Sequence, residues 1–506
     1  MLITFIVLYL LVSVGIGLWA ARRVNNTTDY ALAGRHLPLS MVAIVTFATW
    51  FGSELVLGVS AEFVDGGLAA VVKDPFGAGL CLVLVGMFFA RKLYQKTLLT
   101  LADYYRQRFG KGIEVVCSLI IIFSYLGWVA AQITALGLVF NMLSAGAISF
   151  FWGMVIGTAV VLVYTMYGGM WSVALTDTIQ MIVIVVGLLA VAWYAADLAG
   201  GAGRVIDYAA SEGKFKMFPD WGDGRGWLFF IASLITMMLG SIPQQDVFQR
   251  VMAANNADAA VRGPIIGGTF YIVFGFVPMF IATAAVLILP NVQAIIDKDV
   301  QYVLPTLVLQ HMPMLLQVAF FGALLSAITS TTASTLLAPS TTFVENILRN
   351  IKPGMSDAQT LKAMRLSVPV FTAMVLVYAL TMEGKSIYEL VAEAYQLPLV
   401  GAFVPLVFGL YWQRATTQGA VLSVVFGILV WGAIALSGLL AASYPETWGA
   451  NAAIAALAAF GELVPQQLAG VVGAAVAMVV GSLMPQFIAD TKEKPHQLDA
   501  ASPLPA

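Results

Sequence analysis

The sequence predicts an all-helical protein that crosses a membrane about thirteen times. Of its 506 residues, 60% are hydrophobic and only 10% are charged, and the mean hydropathy is +0.90. An average soluble domain has roughly 25% charged residues. Apolar runs that are long enough to cross a bilayer, about 20 residues, recur from one end of the chain to the other. The composition therefore excludes a soluble protein and indicates a single integral membrane domain.

The same composition argues against several other classes of protein. The net charge is −2, and the lysines and arginines are scattered between apolar runs, whereas a nucleic-acid-binding domain concentrates them in one patch. Cys81 and Cys117 each lie inside an apolar run, which argues against a disulfide framework or a thiolate metal site. The histidines lie too far apart in sequence for a metal-ligand spacing, and the sequence contains no nucleophile elbow or phosphate loop. We therefore expect no enzymatic activity.

Thirteen apolar runs are candidate membrane spans. The first is followed, not preceded, by Arg22 and Arg23, which is typical of a membrane anchor and not of a secretory signal peptide. With the N-terminus outside and the C-terminus cytoplasmic, 18 of the 25 lysines and arginines fall on the inner side, as the positive-inside rule requires for a bacterial-type plasma (inner) membrane. The run 303–342 is expected to be a short surface segment followed by the span proper. The predicted spans are residues 2–20, 41–61, 76–90, 114–142, 150–166, 174–196, 227–248, 264–289, 303–342, 366–382, 387–411, 417–440 and 467–485.

Spans 2 and 7 both contain residues that are unsuited to a regular helix in lipid. Span 2 places Gly52, Ser53 and Glu54 in mid-membrane, and span 7 contains the run Gly240–Asp246, in which Pro243 removes a backbone donor. Irregular backbone at this depth is tolerated where it lines a cavity. Glycine and proline are also frequent in ordinary membrane helices, so either span alone would be ambiguous. The matched pair favours two interrupted helices.

The two interrupted spans open two blocks of five spans. Because they lie five spans apart, an odd number, the blocks have opposite orientations in the membrane, as in inverted-repeat transporters. The predicted segments are an extra span with a cytoplasmic loop (1–40), the first repeat with spans 2–6 (41–205), an extracytoplasmic loop (206–226), the second repeat with spans 7–11 (227–413), spans 12 and 13 (414–489) and a cytoplasmic tail (490–506).

A run of hydroxyl-bearing residues lies in span 9, between Ser326 and Thr335. Ser326, Ser330 and Ser334 are spaced by four residues and share one helix face. Hydroxyl oxygens suit hard cations, and Asp177 at the start of span 6 could add a negative charge. The alternative is that the hydroxyl groups only pack helices together and that Asp177 is solvated at the membrane boundary.

At these residues the chain resembles the sodium:solute symporter family, from about residue 5 to about residue 440. Several separate motifs in the same order make the resemblance specific. It implies an inverted-repeat (LeuT-like) fold with 13 transmembrane helices, a 5+5 core at spans 2–11, broken helices 2 and 7, and span 1 outside the core. The matching segments are Ala33-Gly34-Arg35, Ala48-Thr49-Trp50 with Gly58, Tyr164-Thr165 with Gly168-Gly169, Thr176-Asp177 with Gln180, Ile242-Pro243 with Gln245 and Gln249-Arg250-Val251, and the hydroxyl run.

The resemblance also implies where the coupling ion, sodium, binds. The positions that match the family's main sodium site are the carbonyls of Ala48 and Phe51 in span 2, with Ala327, Ser330 and Thr331 in span 9. The positions that match a second site of some members are Asp177, Ser330 and Ser334. Ala333 stands where that second site would have a serine, so one or two sodium ions per cycle both stay open. No cofactor other than the coupling ion is expected.

Within the family, the layout around spans 7 and 9 is most similar to the high-affinity choline transporter branch. Those transporters hold a quaternary ammonium in an aromatic cage, since cations are attracted to aromatic faces. Trp50 and Trp128 match two cage positions, but Gln244 and Ala78 replace two further aromatic residues, and both tryptophans could instead serve packing alone. Carboxylates facing the cavity would favour an amine or an amino acid over an anion. The predicted cavity residues are Trp50, Gly52, Ser53, Glu54, Trp128, Gln244 and Asp246.

Together these observations predict a sodium-coupled secondary active symporter that imports a small organic solute, an amino acid or an amine or quaternary ammonium compound, by alternating access. The expected partners are the solute, sodium and the lipid bilayer; nucleic acid is not expected, and no protein partner is indicated. Two alternatives stay open. One is a membrane solute sensor, although the segment after span 13 is too short for a signalling module. The other is a proton-coupled symporter of the same fold.

Overall fold

The computed structural model describes residues 2–489 apart from Glu383, Trp448 and Ala450. The predicted cytoplasmic tail at 490–506 lies outside the described residues. The described secondary structure is helical, with short helices such as Thr27–Leu32 and Ala202–Ser211 between the longer ones. The longer helices and the helices next to them are α1 (Leu2–Ala20), α2 (Leu39–Trp50), α3 (Glu54–Ala70), α4 (Val72–Tyr94), α5 (Leu101–Phe109), α6 (Lys111–Leu143), α7 (Phe150–Leu198), α8 (Gly224–Gly240), α9 (Gln245–Ala253), α10 (Ala257–Ile288), α11 (Val303–His311), α12 (Met314–Ile351), α13 (Asp357–Thr381), α14 (Ile387–Tyr411), α15 (Thr417–Ser443), α16 (Ala452–Leu463) and α17 (Gln466–Leu483).

Polar side chains cap the starts of several of these helices. Thr100 and Asp103 form a reciprocal capping box at the start of α5, and Ser356 forms one with Gln359 at the start of α13. The side chain of Asn256 accepts a hydrogen bond from the amide of Ala259 at the start of α10. Such caps satisfy the backbone N–H groups that have no partner within the helix. The helix starts are therefore satisfied by nearby side chains, both at buried ends such as that of α5 and at more exposed ends such as that of α10.

Two of the membrane-crossing elements are bent helix pairs. By length and composition, ten single helices and these two pairs give up to twelve candidate spans in the described part of the chain. The first pair is α2 with α3, at an angle of 57°, and the second is α8 with α9, at 48°. The breaks fall at 51–53 and 241–244, where the sequence has glycine or proline. The structure thus confirms both interrupted spans that the sequence predicted.

The start of α2 lies beside the end of α9. Leu37 and Ala254 form a parallel bridge, in which the Leu37 amide donates to the Ala253 carbonyl at 3.0 Å and the Asn255 amide donates to the Leu37 carbonyl at 2.9 Å. Leu37 precedes α2, whereas Ala254 follows α9. The two broken elements therefore run in opposite directions through the molecule.

Helix α7 covers two of the predicted spans in one helical run. It has 49 residues, which would make a straight helix about 74 Å long at 1.5 Å per residue, more than twice the roughly 30 Å hydrocarbon thickness. Gly169 interrupts it with φ 49° and ψ −138°. The interruption falls between the runs 150–166 and 174–196 that the sequence predicted as separate spans.

We expect a Gly169→Ala substitution to destabilise the protein strongly. A Cβ atom at this position would lie 2.6 Å from Cδ2 of Tyr30 and closer still to the Tyr30 carbonyl oxygen, and the positive φ is itself unfavourable by about 1–3 kcal/mol for a residue with a side chain. The melting temperature of the detergent-purified protein should fall, with a lower yield from membranes. Gly15→Ala is the matched control, because a Cβ there would have nothing within 4 Å. Equal melting temperatures for the two variants would contradict the proposed tight turn.

The long helices overlap the predicted apolar runs. As predicted for the run 303–342, a short helix, α11, precedes the long helix α12. One difference is α16, an apolar helix of 12 residues in a segment where the sequence predicted no span. At 12 residues it is shorter than the roughly 20 that a crossing needs, so it does not add a span by itself.

Candidate functional site

A side chain from another helix replaces a missing backbone partner at the break between α2 and α3. The amide of Phe51 makes the last bond of α2, to the Phe47 carbonyl at 3.0 Å. Beyond it, the amide and the hydroxyl of Ser53 both donate to Gln132 Oε1 on α6, at 3.0 and 2.9 Å. Unpaired polar backbone in a membrane interior is costly, so Gln132 stabilises the broken conformation.

Three oxygens converge beside this break. The hydroxyl oxygen of Ser330 on α12 lies 3.1 Å from the Ala48 carbonyl oxygen and 2.6 Å from Asp177 Oδ1. A serine hydroxyl has a single proton to donate, so it cannot satisfy both acceptors at once. In the described part of the chain, Asp177 Oδ2 is buried without a hydrogen-bond partner. The group therefore has more buried acceptor oxygens than protons to bind them, and a small dehydrated cation could be coordinated by the oxygens that are left.

The other predicted sodium residues lie next to this group. Thr331 follows Ser330 on α12, and its Oγ1 is also buried without a partner among the described residues; it faces the break, since a Cβ on Gly52 would lie 2.7 Å from it. Phe51 is the C-cap residue directly after α2, with the non-helical angles φ −87° and ψ 72°. Ala327 lies one turn before Thr331 on α12 and is fully buried.

The residues predicted for a second sodium ion are divided between two groups. Asp177 and Ser330 are in contact, as described, but Ser334 Oγ pairs with Thr49 Oγ1 at 3.1 Å. Thr49 Oγ1 also accepts hydrogen bonds from Nε and Nη2 of Arg250 on α9, at 2.9 and 2.6 Å. A buried arginine therefore lies close to Ser334, with Thr49 between them.

The two carboxylates predicted for the solute cavity are each held by an indole N–H group. Asp246 Oδ2 accepts from Trp50 Nε1 at 2.9 Å, and its Oδ1 accepts from the Tyr125 hydroxyl at 2.5 Å. Glu54 Oε1 accepts from Trp128 Nε1 at 3.0 Å, and its Oε2 accepts from the Gln132 amide at 2.6 Å.

Four aromatic rings form one cluster between these carboxylates. The ring centroids of Trp50 and Trp128 are 5.7 Å apart and the rings meet edge to face. Tyr395 from α14 lies 6.1 Å from Trp50 and 5.6 Å from Trp128, and Tyr125 stacks on Trp128 at 6.1 Å. The structure thus brings together both predicted tryptophans, and it adds two tyrosines that were not among the residues predicted from the sequence.

The whole group is closed off from solvent. Trp50 is 1% exposed, and Glu54 and Trp128 are each 2% exposed. Gln244, at the break before α9, donates from Nε2 to Ser124 Oγ at 2.8 Å, and in the described part of the chain its Oε1 has no partner. The site therefore combines negative charge, aromatic faces and one free amide oxygen in a water-poor environment.

Two of the site residues that were not predicted from the sequence could have been found from their spacing. Tyr125 and Gln132 lie three residues before and four residues after Trp128 on α6, so they share its helix face. Tyr395 had no such signal, because it comes from a distant part of the chain. It is brought close by Gly240 of α8, where the Tyr395 carbonyl occupies the space that a side chain would need.

Comparison with known families decides what class of protein this is. A model of the sodium:solute symporter family matches residues 30–427. The chain belongs to this family. Its members are transporters and not enzymes, so the prediction of no enzymatic activity is confirmed, and sodium-coupled symport is supported.

Named relatives point to more than one solute. The chain is 29% identical over 457 residues to the human high affinity choline transporter 1, which covers 85% of this chain and 76% of that protein. It is 24% identical over 468 residues to the sodium/glucose cotransporter of Vibrio parahaemolyticus, which covers 83% of this chain and 82% of that protein. These relatives support the family and leave the solute undefined.

Solved structures support the fold class. A sodium-coupled sialic acid symporter in a substrate-bound outward-open state superposes with a TM-score of 0.77 at 18% identity, covering 95% of this chain and 97% of the other. MhsT in complex with L-phenylalanine gives a TM-score of 0.53 at 14% identity, with coverages of 88% and 98%. The predicted all-helical polytopic fold with LeuT-like neighbours is thereby confirmed.

Proposed function

We propose that this symporter imports a small organic solute that carries a positively charged amino or ammonium group, together with sodium, by alternating access. The observation that carries the proposal is the excess of buried acceptor oxygens around Ser330, where the Ala48 carbonyl and the Asp177 carboxylate compete for one hydroxyl proton. It supports a sodium ion bound between α2 and α12, with Ala48, Phe51, Ala327, Ser330 and Thr331 as its ligands and the Asp177 carboxylate, in contact with Ser330, as the adjacent negative charge. Ser334 pairs with Thr49, which favours one sodium ion over two.

In this mechanism sodium is a co-substrate that favours one conformation. Bound between the broken α2 and the continuous α12, it would draw the two helices together and complete the solute cavity next to Trp50. When the bundle that contains the broken helices rocks, sodium and the solute are released on the other side of the membrane. The membrane potential contributes about 2.3 kcal/mol per charge per 100 mV. Coupling is reciprocal, so sodium must raise the affinity for the solute and the solute must raise the affinity for sodium.

We also propose thirteen spans with two inverted repeats, in the segments 41–205 and 227–413. Two observations support this topology. The broken elements run in opposite directions, as inverted repeats require, and α7, with its interruption at Gly169, is long enough for two crossings. With the positive-inside rule, this count places the N-terminus outside and the C-terminus in the cytoplasm of a bacterial-type plasma membrane.

The chemistry of the cavity supports the solute class. Glu54 and Asp246 accept hydrogen bonds from the indole N–H groups of Trp128 and Trp50, so carboxylates and aromatic rings lie side by side, and an ammonium group is attracted to both. An anionic solute would be repelled by the same carboxylates. A glutamine at position 244 and an alanine at position 78 leave the aromatic cage incomplete, so an amine or amino acid with N–H donors suits the cavity better than choline.

Uptake into proteoliposomes tests the proposal. With an inward sodium gradient, radiolabelled amines or amino acids should accumulate above their external concentration. Potassium in place of sodium at the same pH should reduce uptake to the level of empty liposomes. Accumulation that follows a pH gradient without sodium would instead establish proton coupling, and sodium-dependent binding without accumulation would establish a sensor. Sugars and carboxylates serve as control solutes, and their accumulation would overturn the proposed solute class.

A further inference from the structure

A basic cavity lies away from the transport site, where the end of α4 meets α5 and the end of α14. Its volume is about 360 Å³, within the size range of small-molecule sites. Three of its lining residues are basic, namely Lys92, Lys96 and Arg108, and none of the described lining residues is acidic. Basic pockets at the ends of membrane helices are typical sites for anionic lipid headgroups.

The basic groups are held in position without being neutralised. Lys92 Nζ lies 3.4 Å from the ring centroid of Tyr411, and Lys96 Nζ lies 5.5 Å from that of Tyr104. Within the part of the chain that the structure describes, neither ammonium group has a carboxylate within 4.0 Å. Their positive charges therefore remain available to an anion.

Arg108 adds a third charge at the inner wall of the cavity. Its Nη2 donates to the Ala415 carbonyl at 2.7 Å and its Nε to the Gly409 carbonyl at 3.3 Å. Among the described residues, its Nη1 is buried without a hydrogen-bond partner. Because its hydrogen-bond acceptors among these residues are backbone carbonyl oxygens and not carboxylates, the guanidinium keeps a net positive charge that attracts a phosphate.

Exposed apolar side chains lie on α4 and α14 close in sequence to lining residues of the cavity. Met87 and Phe88 lie one turn before Lys92 on α4 and are 59% and 50% exposed, and Tyr411 on α14 is 46% exposed. In a membrane helix such side chains face lipid. The cavity therefore combines positive charge at the membrane boundary with an apolar surface that continues toward the hydrocarbon.

We propose that this cavity binds the phosphate headgroup of an anionic phospholipid, with Lys92, Lys96 and Arg108 around the phosphate and the acyl chains along Met87 and Phe88. A free phosphate ion would use the charges but not the apolar surface, so the lipid is the better match. Because three helices share the cavity, the bound lipid would also hold α4 against α5 and α14.

Lipid titration followed by native mass spectrometry tests this site. The delipidated full-length protein would be titrated with phosphatidylglycerol and, separately, with phosphatidylcholine of the same acyl chains. We expect one phosphatidylglycerol to bind tightly to the wild type. The double variant Lys92→Gln/Lys96→Gln keeps the side-chain stems but removes two charges, and it should bind that lipid on the order of tenfold or more weakly, since each basic residue near the surface contributes measurably.

The control variants separate the site from general charge effects. Lys352→Gln/Lys362→Gln removes two exposed lysines from the same predicted face of the membrane, and it should bind like the wild type. Lys92→Arg/Lys96→Arg retains both charges and should bind like the wild type. Wild-type binding in this variant would show that the glutamine variant loses affinity because it loses charge. Equal weakening in the two glutamine variants, or equal affinity for phosphatidylcholine, would overturn the proposal. Inorganic phosphate that displaces the lipid at similar concentrations would also overturn it, in favour of a free-anion site.

Discussion

Replacing Asp177 by asparagine is expected to raise the sodium concentration that gives half-maximal uptake by about 10- to 100-fold. The carboxylate of Asp177 is fully buried and lies 2.6 Å from Ser330 Oγ, and the substitution removes its charge while keeping its shape. Interactions with charged groups contribute about 1.5–3 kcal/mol, and 1.4 kcal/mol corresponds to about tenfold in affinity. The measurement is sodium-dependent uptake in proteoliposomes at fixed membrane potential.

Asp74→Asn is the matched control for this experiment. Asp74 is also a buried carboxylate, and it accepts a hydrogen bond from the Tyr271 hydroxyl at 2.6 Å, but it belongs to neither the sodium group nor the predicted cavity residues. Its replacement should leave the sodium dependence close to that of the wild type. A wild-type sodium dependence in the Asp177→Asn variant would remove the proposed ion site.

Replacing Asp246 by asparagine is expected to weaken solute binding by on the order of 100-fold at saturating sodium. Losing one partner of a buried charged interaction typically costs about 2–5 kcal/mol, and here the hydrogen bonds from Trp50 and Tyr125 would also lose an ionised acceptor. Binding of labelled solute to the purified protein at a fixed high sodium concentration measures the effect without contributions from transport rates.

Tyr125→Phe provides a graded comparison for Asp246→Asn. It removes the hydrogen bond that the hydroxyl donates to the Asp246 carboxylate and the one that it accepts from the Asp246 amide, but it keeps the carboxylate charge and the ring that stacks on Trp128. Solute binding should therefore weaken less than in Asp246→Asn, because hydrogen bonds are lost but the charge is kept. If Asp246→Asn bound solute as well as Tyr125→Phe does, the carboxylate would not contact a cationic solute, and the proposed solute class would be wrong.

Much of the fold could be predicted because the bilayer imposes simple rules on the chain. Apolar runs of about 20 residues mark the spans, and Gly52 and Pro243 mark the two breaks that the structure shows. The boundary between spans 5 and 6 was predicted around Gly169, and the structure has its interruption there. The interruption takes only one residue, because a glycine can adopt a positive φ, and helix therefore continues on both sides of it without a loop. Helix α16 was missed because its 12 residues are fewer than the roughly 20 that identify a span.

The candidate site was predictable where its residues follow a local pattern. The hydroxyl residues of α12 repeat at helical spacing, and the structure places Ser330 against Ala48 from 282 residues away. Partners that depend only on tertiary packing were not predictable. Arg250 and Tyr395 belong to this second group, since nothing in their sequence neighbourhood indicates that they approach Thr49 and Trp50.

The last turn of α2 contacts three different partners through three consecutive residues. Ala48 meets Ser330, Thr49 meets Arg250, and Trp50 meets Asp246. Because these residues are consecutive in one helical turn, the planar peptide bonds between them fix their relative positions. The ion-binding half and the solute-binding half of the protein are therefore connected by one rigid turn of helix. Solute specificity can then change by substitution on α6, α8 and α9 while the ion-binding half is retained, which would allow one scaffold to serve many nutrients.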